Sequence, residues 1–557
     1  MTDAELPIRP AGQTNGESTD ATERANHYEA IVIGAGFSGL RMLWVLRQLN
    51  LSARVFEAGD GVGGAWHWNN YPGCKTDCES WVYCLNFSPE LCQEWTWKER
   101  YPSQAEMRSY LNHVADRFDM RKDISLNTHI TEARFDDDKN IWRVKSAQGD
   151  TYTSDFVVLG TGLLSSAKKI PFPGFKTFQG ESYQTSSWPR EPVSLKDKRV
   201  GVIGTGSTGV QIVPIAAHVA KSVHVFQRTP NYVLPSRSEP ISAEQSESIK
   251  ANYDEIWARA EKQLMGLDMP PAGRVLADVK DDPVAVRRVL DAAYEQGGFG
   301  FLFQVFDDLF VNAEANETMC EYLREKTRAL VKDPKTAQLL NPKYPLFTKR
   351  PPNGAKYLES FNKPNVHLVD LSTNGIKEIV PGGIRTETDE YELDVIIYAL
   401  GFDAVSGPVT GIDIHGRQGR SLREEWSKNI ETFQGLTIAG YPNLFMTSGP
   451  KSTFSNFPML ISTTTVEIGK VISATREKQC KTAEPTAEAQ TGWTALCDDL
   501  FDHTVLSKYA DETRSWTVGA NIPGKPRGTL YFFGGLPGYS AQCQKESAAG
   551  FPSYVFA

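Results

Sequence analysis

No stretch of about 18 apolar residues occurs in this chain, so nothing in it is built to cross a bilayer as a helix. An excess of basic residues is also missing: 59 Lys and Arg stand against 68 Asp and Glu, for a net charge of -9. That balance gives no electrostatic reason to bind nucleic acid or an anionic membrane surface. Histidine is scarce, with 9 in 557 residues, and none falls in HExxH or HxH spacing, so no metal site is legible. Of the 8 cysteines, four crowd at Cys74, Cys78, Cys84 and Cys92, yet they form neither CxxC nor a zinc pattern. They read as reduced, partly buried thiols of a cytoplasmic protein. Residues 1–27 are polar and net acidic without an apolar centre, which excludes a signal or transit peptide and predicts a disordered tail. What remains is an ordinary globular composition, 40% apolar and 23% charged, at a length that predicts two or three domains.

The most complete pattern opens at Tyr28. A short apolar run, Ala30 to Ile33, breaks into Gly34, Gly36 and Gly39 in GxGxxG spacing, followed by an apolar-periodic helix and a second strand ending at Glu57. Strand, glycine turn, helix and strand make a dinucleotide cradle. The first glycine permits the turn, the second lets backbone approach a pyrophosphate, and the third lets helix pack on strand. Glu57 stands where a carboxylate can bind an adenosine ribose. The loop GGAWHWNNYPGCKTD follows, and packing aromatics suffice to explain Trp66, Trp68 and Tyr71. Asp77, after that loop, is either a helix cap or a site residue.

Alternating strands and the run Phe156 to Leu159 then read as a return to the first sheet, which closes its first part. A second cradle follows in RVGVIGTGSTG, with Gly204, Gly206 and Gly209. Its next strand ends in Gln227-Arg228-Thr229, where a site for NAD would carry an acid. Arginine beside a hydroxyl suits a ribose 2'-phosphate, so the second nucleotide is read as NADPH. Residues 236–345 are charged and helix-patterned. Ile249, Tyr253, Ile256, Trp257, Ala260 and Leu264 fall on one face, and Asp282-Pro283 reads as a cap with proline at the first helical position. The aromatic stretch FGFLFQVFDDLF within this insertion reads as core, with a place over the active site left open. The run at residues 393–399 reads as re-entry into the first sheet, and residues 463–475 as a helix. The expected fold is α/β: two Rossmann-like dinucleotide-binding domains, the second inserted into a discontinuous first, with a helical insertion in the second. Boundaries fall at residues 28–166, 167–393 and 394–557.

These motifs, with FQGESYQTSSWP before the second cradle, Lys349-Arg350, ALGFDA and SWTVGANIPGK, resemble the single-chain, FAD- and NADPH-dependent Baeyer-Villiger monooxygenases. The resemblance covers residues 28–539. One position departs from it, since the family pattern FxGxxxHxxxW has histidine where this chain has Gln184. The resemblance implies FAD in the first cradle, with Gly64 and Trp66 among its contacts, and NADPH in the second. It implies one oxygen atom of O2 inserted beside a ketone carbonyl through a C4a-peroxyflavin, to give an ester or lactone. Arg350 is then the catalytic cation and Asp77 its carboxylate; both also touch cofactor. Lys349, Arg228 and Thr229 hold the 2'-phosphate, and Trp516 contacts the bound NADP, unless it is a packing aromatic. The expected partners are a small ketone and O2, with no nucleic acid, membrane or metal, and the protein is expected to be a cytoplasmic monomer.

Three rivals stay open on the residues. A heteroatom-oxidising flavin monooxygenase shares the cradles but uses a protonated oxygen donor and has no need of Arg350. A disulfide reductase would need a redox cysteine pair, and Cys74 and Cys78 have the wrong spacing. A non-catalytic NADPH-binding regulator would have no use for the Arg350 and Asp77 pair.

Overall fold

The strand, glycine turn and helix that occur twice in the sequence seed two sheets, the first mixed and the second all parallel. The computed structural model describes residues 26–557. Residues 1–25 of the expected tail lie outside the described residues. The expected end of that tail is corrected, because His27 already opens the first strand and pairs with Thr153.

In the first sheet, His27–Ile33 runs parallel to Ala53–Phe56 on one side and to Thr151–Leu159 on the other. Ala30, Ile31 and Val32 are fully buried, as a strand covered on both faces must be. The start of Thr151–Leu159 carries the antiparallel strand Ile141–Ser146, whereas its end accepts Leu444–Met446 from far along the chain. Asp413–His415 joins the same sheet beside Ile130–Asp136. The first sheet is therefore discontinuous in sequence. The second is all parallel, in the order Val366–Asp370, Ser222–Gln227, Arg199–Ile203, Val395–Tyr398, Glu181–Gln184.

One reading is corrected by this topology. The run at residues 393–399 belongs to the second sheet, where Val395–Tyr398 pairs with Arg199–Ile203; it does not re-enter the first. Its four buried residues, Val395–Tyr398, followed by Ala399, match Phe156–Leu159 followed by Gly160 because the two runs do the same job. Each lies beside a cradle strand, and each passes a backbone carbonyl against the first cradle glycine. A Cβ on Gly34 would sit 2.6 Å from the Gly160 oxygen, and one on Gly204 would sit 2.4 Å from the Ala399 oxygen. Both glycines hold positive φ, +105° and +112°, so any side chain there is excluded twice over. The return to the first sheet comes later, where two strands of chain cross side by side: Lys168 N–H donates to the Gly401 carbonyl at 3.2 Å and Asp403 N–H to the Ser166 carbonyl at 2.9 Å.

The insertion is helical, and a two-residue parallel pairing of Leu234–Pro235 with Asn353–Gly354 brackets it. Asp282 caps Pro283–Gln296 by accepting from the Val284 and Ala285 amides, each at 3.0 Å. The face expected from Ile249 to Leu264 is broken into Ala243–Ala251 and Tyr253–Lys262, and Leu264 is 39% exposed. FGFLFQVFDDLF packs as core: Phe301, Leu302, Val305, Phe306 and Leu309 are all buried. Phe501, Leu506 and Val518 from the C-terminal segment pack in the same cluster, which carries that segment over to the second domain's insertion. The helix expected at residues 463–475 extends over Phe457–Glu477. No helix among the described residues is long and apolar enough to cross a membrane, and all eight cysteines are free.

Candidate active site

Both cradles are shaped for a group lying against backbone. In the first, a Cβ on Gly39 would lie 1.8 Å from the Gly34 carbonyl oxygen, so helix and turn touch with nothing between them. Gly36 faces the Gly63-Gly64 loop, and a Cβ on Gly64 would lie 2.9 Å from the Gly36 Cα. Glu57 is buried at the end of its strand and accepts from the Ala35 amide at 2.7 Å and the Gly59 amide at 2.8 Å. It thus braces the turn on both sides. The Ser38 hydroxyl, in the first turn of the helix, is buried without a hydrogen-bond partner. A buried orphan hydroxyl beside a close-packed glycine turn fits a phosphate-bearing ligand such as FAD. In the second cradle a Cβ on Gly209 would lie 2.1 Å from the Gly204 oxygen, whereas Gly206 has nothing within 4 Å. That open face, at the glycine a pyrophosphate approaches, fits NADPH.

The loop between Gly64 and Asp77 joins the two cradles. Trp66 packs edge-on against Tyr83, with ring centroids 5.7 Å apart. Gly73 lies flat on the second cradle helix, where a Cβ would meet the Gln211 carbonyl at 2.6 Å, and the Tyr71 hydroxyl donates to Gln211 Oε1 at 2.8 Å. Tyr71, Pro72 and Gly73 are thus shaped by a contact between domains. Asp77 follows and caps no helix. Its carboxylate takes a hydrogen bond from Arg350 Nη1 and one from the Asn353 amide at 3.3 Å, and its carbonyl accepts from Asn353 Nδ2 at 3.0 Å. The other arm of Arg350, Nη2, donates to the Ser207 hydroxyl in the second cradle. One guanidinium therefore bridges the first domain's loop and the second cradle. Burial works against its charge, but the Asp77 carboxylate more than offsets this and raises the Arg350 pKa.

Arg228 and Thr229 open onto a cavity of about 390 Å³, lined also by Leu371, Ser372, Glu512, Thr513 and Arg514. Lys349 lies near it. Burial, then Arg228, Lys168 and Arg514, lower its pKa to about 8. A phosphate dianion would favour the protonated ammonium, so NADP+ binding should weaken as pH rises through about 8 while NAD+ binding stays level. Dissociation constants for both nucleotides from neutral to alkaline pH check this; parallel profiles contradict a phosphate contact by Lys349. Trp516 packs against Phe454 and Tyr531 at 5.7 and 5.6 Å between centroids. Its neighbour Ser515 donates to the Thr348 carbonyl at 2.7 Å, which seats the C-terminal segment beside Lys349 and Arg350.

The structure thus gathers Asp77, Arg350 and the second cradle at one point, and Arg228, Thr229 and Lys349 around another. Sequence reasoning missed Ser207, Asn353 and Tyr531. Ser207 directly follows Gly206 and was visible as the first residue of a helix. Tyr531 gives no local signal; its hydroxyl is buried without a partner beside Trp516. Gln184 ends the strand Glu181–Gln184, and its Nε2 donates to the Lys168 carbonyl at 2.7 Å, on the chain crossing between domains. A neutral donor suffices there. Gln184→His should change turnover only a few-fold, roughly, and Gln184→Ala should slow flavin reduction or uncouple it, because the carbonyl loses its donor. Stopped-flow reduction and ester yield decide; equal values for Gln, His and Ala remove the side chain from this role.

Two glycine cradles on two sheets, with a carboxylate-held guanidinium against the second, are the build of an oxidoreductase that holds two dinucleotides. Residues 28–241 match the flavin-binding monooxygenase-like family. The chain is 38% identical to a phenazine N-monooxygenase of Lysobacter antibioticus, over 95% of this chain and 97% of that one. It is 37% identical to a Baeyer-Villiger monooxygenase of Pseudooceanicola batsensis, over 95% and 96%. Among solved structures, cyclohexanone monooxygenase from Rhodococcus sp. Phi1 bound to NADP+ superposes with a TM-score of 0.92 at 36% identity, covering 95% and 99%. The chain belongs to the flavin-binding monooxygenase family, on its Baeyer-Villiger branch.

Proposed function

We propose that this enzyme inserts one oxygen atom from O2 beside the carbonyl of a ketone, giving an ester or lactone, with NADPH as electron donor. When bound in the first cradle, FAD supplies the oxidising chemistry, taking electrons from NADPH and passing them to O2, whose second atom leaves as water. The observation that carries this reading is the Arg350 guanidinium, shared between Asp77 and Ser207. Insertion beside a carbonyl requires an anionic oxygen to attack the carbonyl carbon, and negative charge then grows on the carbonyl oxygen. A guanidinium cannot lose its proton, so Arg350 stabilises both. Asp77 holds it in place and keeps the pair near neutral. Burial pushes the Cys78 thiol and the Tyr71 and Tyr531 phenols up, so these neighbours stay protonated and offer no competing anion. Arg350 acts through position and charge, with no side-chain proton relay.

Gly34, Gly36, Gly39, Glu57, Gly64 and Trp66 would hold FAD. Gly204, Gly206, Gly209, Arg228, Thr229 and Lys349 would hold NADPH, and Trp516 would lie against it. A small ketone and O2 are the partners. A monomeric, cytoplasmic enzyme is part of the same reading, the cytoplasmic placement resting on the cysteine spacing.

Similarity to a phenazine N-monooxygenase favours one second reading, oxidation of a heteroatom. That reaction uses a protonated, electrophilic oxygen donor and gains nothing from Arg350. Aerobic NADPH turnover against a panel of ketones, sulfides and aromatic N-heterocycles separates the two: esters are expected, and products limited to N- or S-oxides overturn the ketone reading.

A further inference from the structure

The cavity beside Arg228 is walled by two parts of the chain far apart in sequence. Arg228, Thr229, Leu371 and Ser372 come from the second sheet, and Glu512, Thr513 and Arg514 from the C-terminal segment. Lys168, on the crossing between domains, and Lys349 stand close enough to these arginines that each disfavours another's charge. Among the described residues none of Lys168, Arg228, Lys349 and Arg514 is in an ion pair; Asp403, the acid nearest Lys168, is taken by Lys525. Glu512 is the acid on the cavity wall. Two arginines from distant segments on one cavity wall, with Lys349 and Lys168 near them and a single carboxylate beside them, suit a multiply charged anion, and a ribose 2'-phosphate is a dianion near neutral pH.

We propose that Arg514 binds the 2'-phosphate of NADPH together with Arg228 and Lys349, so that this phosphate ties the C-terminal segment to the second cradle. The proposal rests on the reading of Arg228 and Lys349 as the phosphate site. It gives the phosphate a second task. Arg514 is next to Ser515, which bonds to the Thr348 carbonyl, and two residues from Trp516, which packs on Phe454 and Tyr531. A contact at Arg514 therefore fixes the segment that walls the region around Arg350. Arg514 is exposed between the buried Thr513 and Ser515, holds a left-handed backbone conformation, φ +54°, and lines the cavity wall. NADH, which lacks the phosphate, leaves that tie unmade.

The test uses the FAD-loaded full chain and the oxidised nucleotides NADP+ and NAD+. Arg514→Gln should weaken NADP+ binding about ten-fold or more and change NAD+ binding less than about two-fold. Arg514→Lys should recover part of the loss. NADP+ should protect residues 511–527 from limited proteolysis in the unaltered enzyme but not in Arg514→Gln, and NAD+ should protect in neither. Equal losses for both nucleotides, or no loss, overturn the proposal and leave Arg514 as a solvated charge. Arg228→Gln serves as the control. If it discriminates between the nucleotides while Arg514→Gln does not, this inference falls and the phosphate site stands; if it does not discriminate, both fall.

Discussion

Arg350→Ala is expected to abolish ester formation while the protein still folds and binds FAD. Arg350 lies at the meeting of Asp77 and Ser207, away from the close-packed turn of the first cradle, so its loss removes no contact that shapes that turn. On the proposed mechanism, what it removes is the positive charge that stabilises the reacting oxygen. Loss of one such preorganised donor costs on the order of 100- to 1,000-fold in kcat, and here the donor also carries the charge. NADPH oxidation should continue with the consumed oxygen recovered as hydrogen peroxide. Lysine is not a safe replacement: the planar fork reaches Asp77 with one nitrogen and Ser207 with another, and an ammonium offers no such geometry. Flavin absorbance, peroxide release and ester yield are the three readouts. Substantial ester from Arg350→Ala would sink the mechanism.

Arg228→Ala should shift cofactor choice almost as sharply. A charge-assisted phosphate contact contributes roughly 1.5 to 3 kcal/mol, about ten- to a hundred-fold in the Michaelis constant for NADPH. NADH has no group at that position, so its Michaelis constant should barely move. Steady-state kinetics with both cofactors check the split, and equal effects would remove Arg228 from the phosphate site.

The two cradles were legible because GxGxxG between a strand and a helix reports a backbone constraint, and the structure realises it: Gly39 touches Gly34, and Gly209 touches Gly204. The strand beside each cradle was less legible. Phe156–Leu159 and Val395–Tyr398 are both short, apolar and buried, and hydrophobicity alone does not say which sheet a buried strand joins. Helix boundaries in the insertion failed for a related reason, since an apolar face continues across the break at Asn252 although the helix does not. Asp77 and Arg350 are 273 residues apart. No spacing rule connects them, and their pairing came from resemblance to a family rather than from the residues. The turn at Gly73 is the opposite case, odd in the sequence and simple in the structure, where it lies flat on Gln211. Ser207 and Asn353, which hold the Arg350 and Asp77 pair from outside, carried no motif of their own.

Supplying isotopically labelled O2 to the FAD-loaded enzyme with NADPH and a ketone tests the central claim most directly. The ester should carry one labelled atom, located by mass spectrometric fragmentation at the bridging oxygen between the former carbonyl carbon and the migrated carbon. Label in the carbonyl oxygen instead, or an unlabelled ester, would contradict oxygen insertion at this site.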